Sequence, residues 1–95
     1  MKGEGVFREW TRQAILPDEK IAVICRIFDE EMTETKVVKV LLVLLFLLCK
    51  NLQENRSRFL DHSIVDLLNL CRKVNKNDEE IIAKVDRLVE LFGAN

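Results

Sequence analysis

Val37-Val38-Lys39-Val40-Leu41-Leu42-Val43-Leu44-Leu45-Phe46-Leu47-Leu48-Cys49 is the stretch on which the fold turns. It is apolar on every face for about three helical turns, and a helix of that kind is expected inside a protein rather than on its surface. Strands usually end by about eight residues, so the length of the run favours a helix. A membrane span needs about 20 apolar residues, and this run is shorter and bracketed by Lys36, Lys39 and Lys50. The expectation is a central helix buried on all sides, with the rest of the chain covering it.

The rest of the chain supplies the cover. Val6, Phe7, Trp10, Ala14 and Ile15 recur at helical spacing in residues 1–16. Pro17 followed by Asp18 and Glu19 opens a second helix over 17–31, with Pro in the first turn and acids at the positive end of the helix dipole. That helix should stop at the run Asp29-Glu30-Glu31, since acids are unfavourable at a C-terminus. Thr33 is the expected cap of the central helix over 34–52. Residues 51–57 read as polar and loop-like, then a fourth helix spans 57–74, broken near 61–63, where Asp61 or Ser63 would cap its second part. Arg72 and Lys73 suit its C-terminal turn. Asn77 is the expected cap of a fifth helix over 78–92, with Gly93 in the left-handed position just beyond. The fold class is therefore all-α: one helical domain over 1–95, a compact bundle of four to five helices with sequence neighbours packed antiparallel through short connections.

Composition narrows the function. The chain has 95 residues, of which 48% are apolar and 33% charged, which suits a folded domain and argues against a disordered segment. A net charge of −1 gives no basic excess for strong nucleic-acid binding. Cys25, Cys49 and Cys71 are odd in number, lack a CxxC spacing and sit among apolar residues, so they read as buried free thiols, with no metal or other cofactor expected. The N-terminal residues lack an apolar signal core, so secretion is not expected.

No catalytic set is evident. There is no glycine-rich phosphate loop, and His62 beside Asp61 and Ser63 is a sequence neighbourhood rather than a triad, which is defined by geometry. The expectation is a non-enzymatic module that binds other proteins at its inter-helix turns. Met32 at the turn before the central helix, Phe59, and Val74 after the fourth helix are the candidate apolar contacts, with Glu34, Arg72 and Lys73 close by. For each there is an ordinary alternative: Phe59 as core, and the charges as solvated surface.

Leu44-Leu45-x-x-Leu48-x-x-Asn51, then Phe59-Leu60, then Ile64-Val65-Asp66-Leu67-Leu68-Asn69-Leu70-Cys71-Arg72-Lys73 resembles the N-terminal domain of transcription elongation factor TFIIS. Leu88-Val89-Glu90-Leu91-Phe92 has the spacing of that family's closing helix, with Phe92 in place of its Trp. The likeness covers about the last 55 residues, and the first 35 or so only by architecture. Val65 stands where the family has Gly and Asp66 where it has Lys, so a close turn and a basic contact depart from the pattern. The resemblance implies a nuclear scaffold module of a larger transcription or chromatin protein. It also implies partners: short disordered motifs with an aromatic anchor and acidic neighbours, held at the turns of Met32 to Glu34 and Val74 to Lys76, with Arg72 and Lys73 meeting the acids. A different class stays open beside it: a structural or oligomerising bundle, such as a helical-repeat fragment or a viral or microbial helical protein, with no peptide groove. A membrane-surface role has little support.

Overall fold

Pro17 sets the start of the first helix from outside it. Its backbone is extended (φ −64°, ψ 153°), and its carbonyl accepts from the N–H groups of Lys20 and Ile21 at 3.0 and 3.2 Å. The computed structural model describes residues 15–93, which contain five α-helices and no strand. They are α1 (Asp18–Glu30), α2 (Thr35–Cys49), α3 (Gln53–Asp61), α4 (Ile64–Val74) and α5 (Glu79–Leu91). Residues 15–17 precede α1 outside any helix; the rest of the helix expected over 1–16 lies outside the described residues.

Each helix buries the stripe its sequence offers. α1 turns Ile21, Cys25 and Phe28 inward and ends at Glu30, within the acidic run. α4 buries Ile64, Leu68 and Cys71, and α5 buries Ile81, Val85 and Leu88. These join Val38, Leu42, Leu45 and Cys49 of α2 and Phe59 of α3 in one continuous core. α5 lies along α2 and α4, α3 bridges α2 and α4, and α1 packs on α3 and α4. The expected antiparallel pairing of every sequence neighbour thus fails at the first step. α1 points its stripe at α3 and α4, and the turn at 31–34 carries the chain away before α2 begins.

The ends of the helices correct several expectations. Glu34, not Thr33, occupies the position before α2, in extended backbone and without a side-chain cap. Residues 53–57 are helical, not loop, because the polar side chains of α3 serve the end of α2. Asn55 Nδ2 donates to the Leu48 carbonyl at 2.9 Å, and Arg56 Nη1 donates to the carbonyls of Cys49 and Lys50 at 2.8 and 3.1 Å. These last carbonyls of α2 have no partner within their own helix, so α3 satisfies them. The break between α3 and α4 falls at His62 and Ser63, as the sequence suggested. Ser63 makes it by adopting left-handed backbone (φ 59°, ψ 39°), and its side chain caps nothing. Asp78, not Asn77, caps α5: its carboxylate accepts from the Ile81 N–H at 3.2 Å. Gly93 is left-handed (φ 72°), as expected just past the helix, and its N–H donates to the Glu90 carbonyl at 3.0 Å.

The largest correction concerns α2. It is not buried on all sides. Leu41, Leu42, Leu45, Leu48 and Cys49 are inside, but Val37, Val40, Val43 and Leu47 are exposed, with Val40 at 67%. Four helices of this size leave one side of α2 uncovered by anything in residues 15–93. None of the described helices is long and apolar enough to cross a membrane.

Candidate partner-binding surfaces

Asn75 builds the first candidate surface. It ends α4, where its N–H donates to the Cys71 carbonyl at 3.0 Å. Its buried side chain then reaches across the bundle. Nδ2 donates to the Met32 carbonyl at 3.0 Å and to the Cys71 carbonyl at 3.1 Å, using both amide hydrogens. The turn 31–34 and the turn 75–78, distant in sequence, are held together by one short planar side chain. Beside this junction is an open depression of about 510 Å³, lined by Thr35, Val74, Asn75, Asn77, Asp78 and Glu79. A second shallow depression, lined by Arg72, Lys73, Lys76 and Ile82, lies on the basic side of the same corner.

The residues expected to contact a partner separate into three groups here. Val74, Lys73, Lys76 and Glu34 are exposed at or next to the corner. Met32 and Phe59 are not available: Met32 is 5% exposed and Phe59 0%, both inside the core. Met32 continues the α1 stripe by four residues beyond Phe28, and Phe59 is the large apolar side chain that α3 contributes. Arg72 is already engaged, with Nη2 2.7 Å from Asp86 Oδ1, which ties α4 to α5. The corner therefore offers Lys73 and Lys76 as cations with no carboxylate within 4.0 Å among the described residues, opposite Asp78 and Glu79. Asn75 itself escapes a motif-based reading; its one signal is a polar residue between a helix end and a turn, where side chains bond backbone.

The second surface is the uncovered side of α2. Val37, Val40, Val43 and Leu47 follow one another at intervals of three or four residues and so share a face. The row runs into a cleft of about 190 Å³ between α2 and α5, formed by Val43, Phe46 and Leu47 on one side and Lys84, Arg87 and Leu88 on the other. The Lys50 ammonium and the Arg87 guanidinium lie 5.9 and 5.5 Å from the centre of the Phe46 ring, within cation–π range. A trace of this face exists in the sequence: three of its four members are valines, whereas leucines dominate the buried side.

Titratable groups are placed structurally rather than chemically. His62 Nε2 is 2.9 Å from Asp18 Oδ1, joining the α3–α4 junction to the start of α1. All three thiols are buried and free. Burial pushes the Cys49 thiol up to about 12, partly opposed by nearby Arg56, and it raises Cys25 and Cys71 as well, with the Asn75 hydrogen bond working against it at Cys71. Protonated, enclosed thiols are poor nucleophiles. No cluster of three or more potential metal ligands occurs among the described residues.

Comparison with known proteins matched no family model, no curated protein and no solved structure.

Proposed function

We propose that this chain is a protein-interaction module that holds a short extended peptide at the corner between the turns 31–34 and 75–78. The supporting observation is the Asn75 crosslink. It fixes two sequence-distant turns against each other and leaves Val74, 44% exposed, between Lys73 and Lys76 and the depression beyond. A rigid corner with a small apolar contact and two flanking cations suits a ligand with one apolar anchor and acidic neighbours. The role is non-catalytic. The nuclear, transcription or chromatin setting rests on the resemblance to the TFIIS N-terminal domain through Asn69, Arg72 and Lys73.

The test is an NMR titration of the labelled chain with acidic peptides carrying a phenylalanine. The reading expects shifts concentrated at 31–35 and 73–79, weakened by Val74→Asp and by the paired change Lys73→Glu and Lys76→Glu, with the helical spectrum unchanged. Shifts that are absent, or scattered over the surface, count against it.

A self-associating structural bundle is the second reading, and the bare α2 row is the observation that favours it. Sedimentation at increasing concentration separates the two: a strictly monomeric chain removes the second reading.

A further inference from the structure

The uncovered side of α2 carries a pattern of its own. One line down the helix reads Lys36, Val40, Val43, Leu47 and Lys50, at alternating steps of four and three residues, and all of them are exposed. Apolar side chains at that alternation form the seam to which a further helix packs. We infer that this face seats an amphipathic α-helix of another protein, with an apolar seam of its own and acidic side chains along one flank. The inference does not depend on the peptide corner.

Shape comes first. α2 and α5 run side by side in the same direction: Lys39 reaches Asp78 and Glu80 at the head of α5, and Phe46, further along, lies beside Arg87. The α5 edge of the face repeats the alternation in Glu80, Lys84, Arg87 and Leu91. Two parallel ridges with a furrow between them accept the ridge of a third helix. From Lys36 to Lys50 the line is about 21 Å long, the length of about four helical turns. The cleft of about 190 Å³ in the furrow is smaller than the roughly 300–1,000 Å³ of a small-molecule site, so it suits one anchoring side chain rather than a free ligand.

Charge selects the partner. Lys36, Lys50 and Arg87 have no carboxylate within 4.0 Å among the described residues, and Lys84 reaches Glu80 only at 4.0 Å. Lys50 and Arg87 lie 5.9 and 5.5 Å from the centre of the same Phe46 ring, which holds two like charges at the lip of the cleft. A glutamate or aspartate on the flank of the incoming helix relieves that repulsion. Such flanking charges choose the partner, while the valines and Leu47 supply the burial. The same charges disfavour a second copy, because a two-fold dimer sets this patch against itself, cation facing cation. A lipid surface is less suited, because the line carries no Trp or Tyr to anchor at the headgroup boundary.

The probe is a helical peptide of about 15 residues, with leucines at i, i+4 and i+7 and glutamates on one flank. It is titrated into the methyl-labelled chain beside a twin that has lysines for the glutamates. The acidic peptide should move the methyls of Val40, Val43, Leu47 and Leu88, and the lysine twin should move none. Lys84→Glu combined with Arg87→Glu should weaken the acidic peptide about tenfold or more. Should that double variant lose its helical circular dichroism, Lys50→Gln combined with Arg87→Gln is read for the same weakening. Row methyls that stay unmoved overturn the inference, as do equal binding of both peptides and movement confined to residues 73–79. So does a row already shielded in the free chain from a soluble paramagnetic agent, whether by a dimer seen in sedimentation or by another part of the same chain. Phosphatidylserine vesicles that pull down the chain, while the acidic peptide leaves the row unmoved, assign the face to lipid and overturn it too.

Discussion

The side-chain amide of Asn75 donates a hydrogen bond to the main-chain carbonyl of Met32 at 3.0 Å, joining residues 43 positions apart. Both residues are buried, so the bond is more than decoration on a turn. Removing the amide leaves the Met32 carbonyl buried without its partner, which costs about 1–3 kcal/mol. Asn75→Ala should lower the free energy of unfolding by that amount, read as a lower urea midpoint at an unchanged slope. Hydrogen exchange should quicken in both turns at once. Quickening at 75–78 alone would mean that the turns are held together by something else.

Asp78 gives a sharper test of where α5 begins. Its carboxylate accepts from the Ile81 N–H and also lies 3.6 Å from Lys39 Nζ. Asp78→Ala should cost about 1 kcal/mol, the usual value of a lost N-cap. Asn77→Ala, one residue earlier and exposed, should stay within about 0.5 kcal/mol. Equal losses at the two positions would place the cap wrongly.

Leu45 and Leu70 are both leucines on helices, and they should behave oppositely. Leu45 is fully buried on α2, and Leu70 is 45% exposed on α4. Leu45→Ala should destabilise by about 2–5 kcal/mol, a large share of the stability of a small domain. Leu70→Ser should change it by roughly 0.5 kcal/mol or less. Paired denaturation curves are sufficient to check this.

Cys49 predicts how stability responds to alkali. The folded thiol sits at about 12 against an ordinary 9.0, so the folded state holds this proton more tightly than the unfolded chain does. The associated stability is intact below pH 9.0 and is lost progressively as pH rises toward about 12. Urea midpoints measured across that window should decline. Cys49→Val should make the decline shallower without abolishing it, because Cys25 and Cys71 are raised in the same direction. An unchanged slope in the variant would mean that Cys49 is not enclosed.

Much of this architecture can be read from residues 17–93. The stripe of α5 and its glycine stop and the basic last turn of α4 follow from local spacing and cap chemistry; the break at residues 62–63 is in the place the sequence indicates, but left-handed backbone at Ser63 makes it, not a side-chain cap. What could not be read was set by other parts of the chain. Residues 53–57 look like a loop because Asn55 and Arg56 are polar, yet their polarity serves the carbonyls of Leu48, Cys49 and Lys50. Met32 looks like a turn residue open to a partner, but it extends the α1 stripe by one more turn. The all-round greasiness of α2 hid the distinction between its inner leucines and its outer valines, since hydrophobicity without a polar side carries no direction. Asn75 stayed out of sight because its partner is a carbonyl on another helix turn.

Lys39 supplies the direction that those hydrocarbons lack. It is the one charge inside the apolar run, and its ammonium lies 3.6 Å from Asp78 and 3.4 Å from Glu80 at the head of α5. A cylinder greasy all round could spin about its long axis at little cost; a single tethered ammonium makes one azimuth better than the rest. Replacing Lys39 with leucine would then leave the helix content untouched and blur the methyl spectrum into several slowly exchanging orientations, a gain in oiliness at the expense of uniqueness.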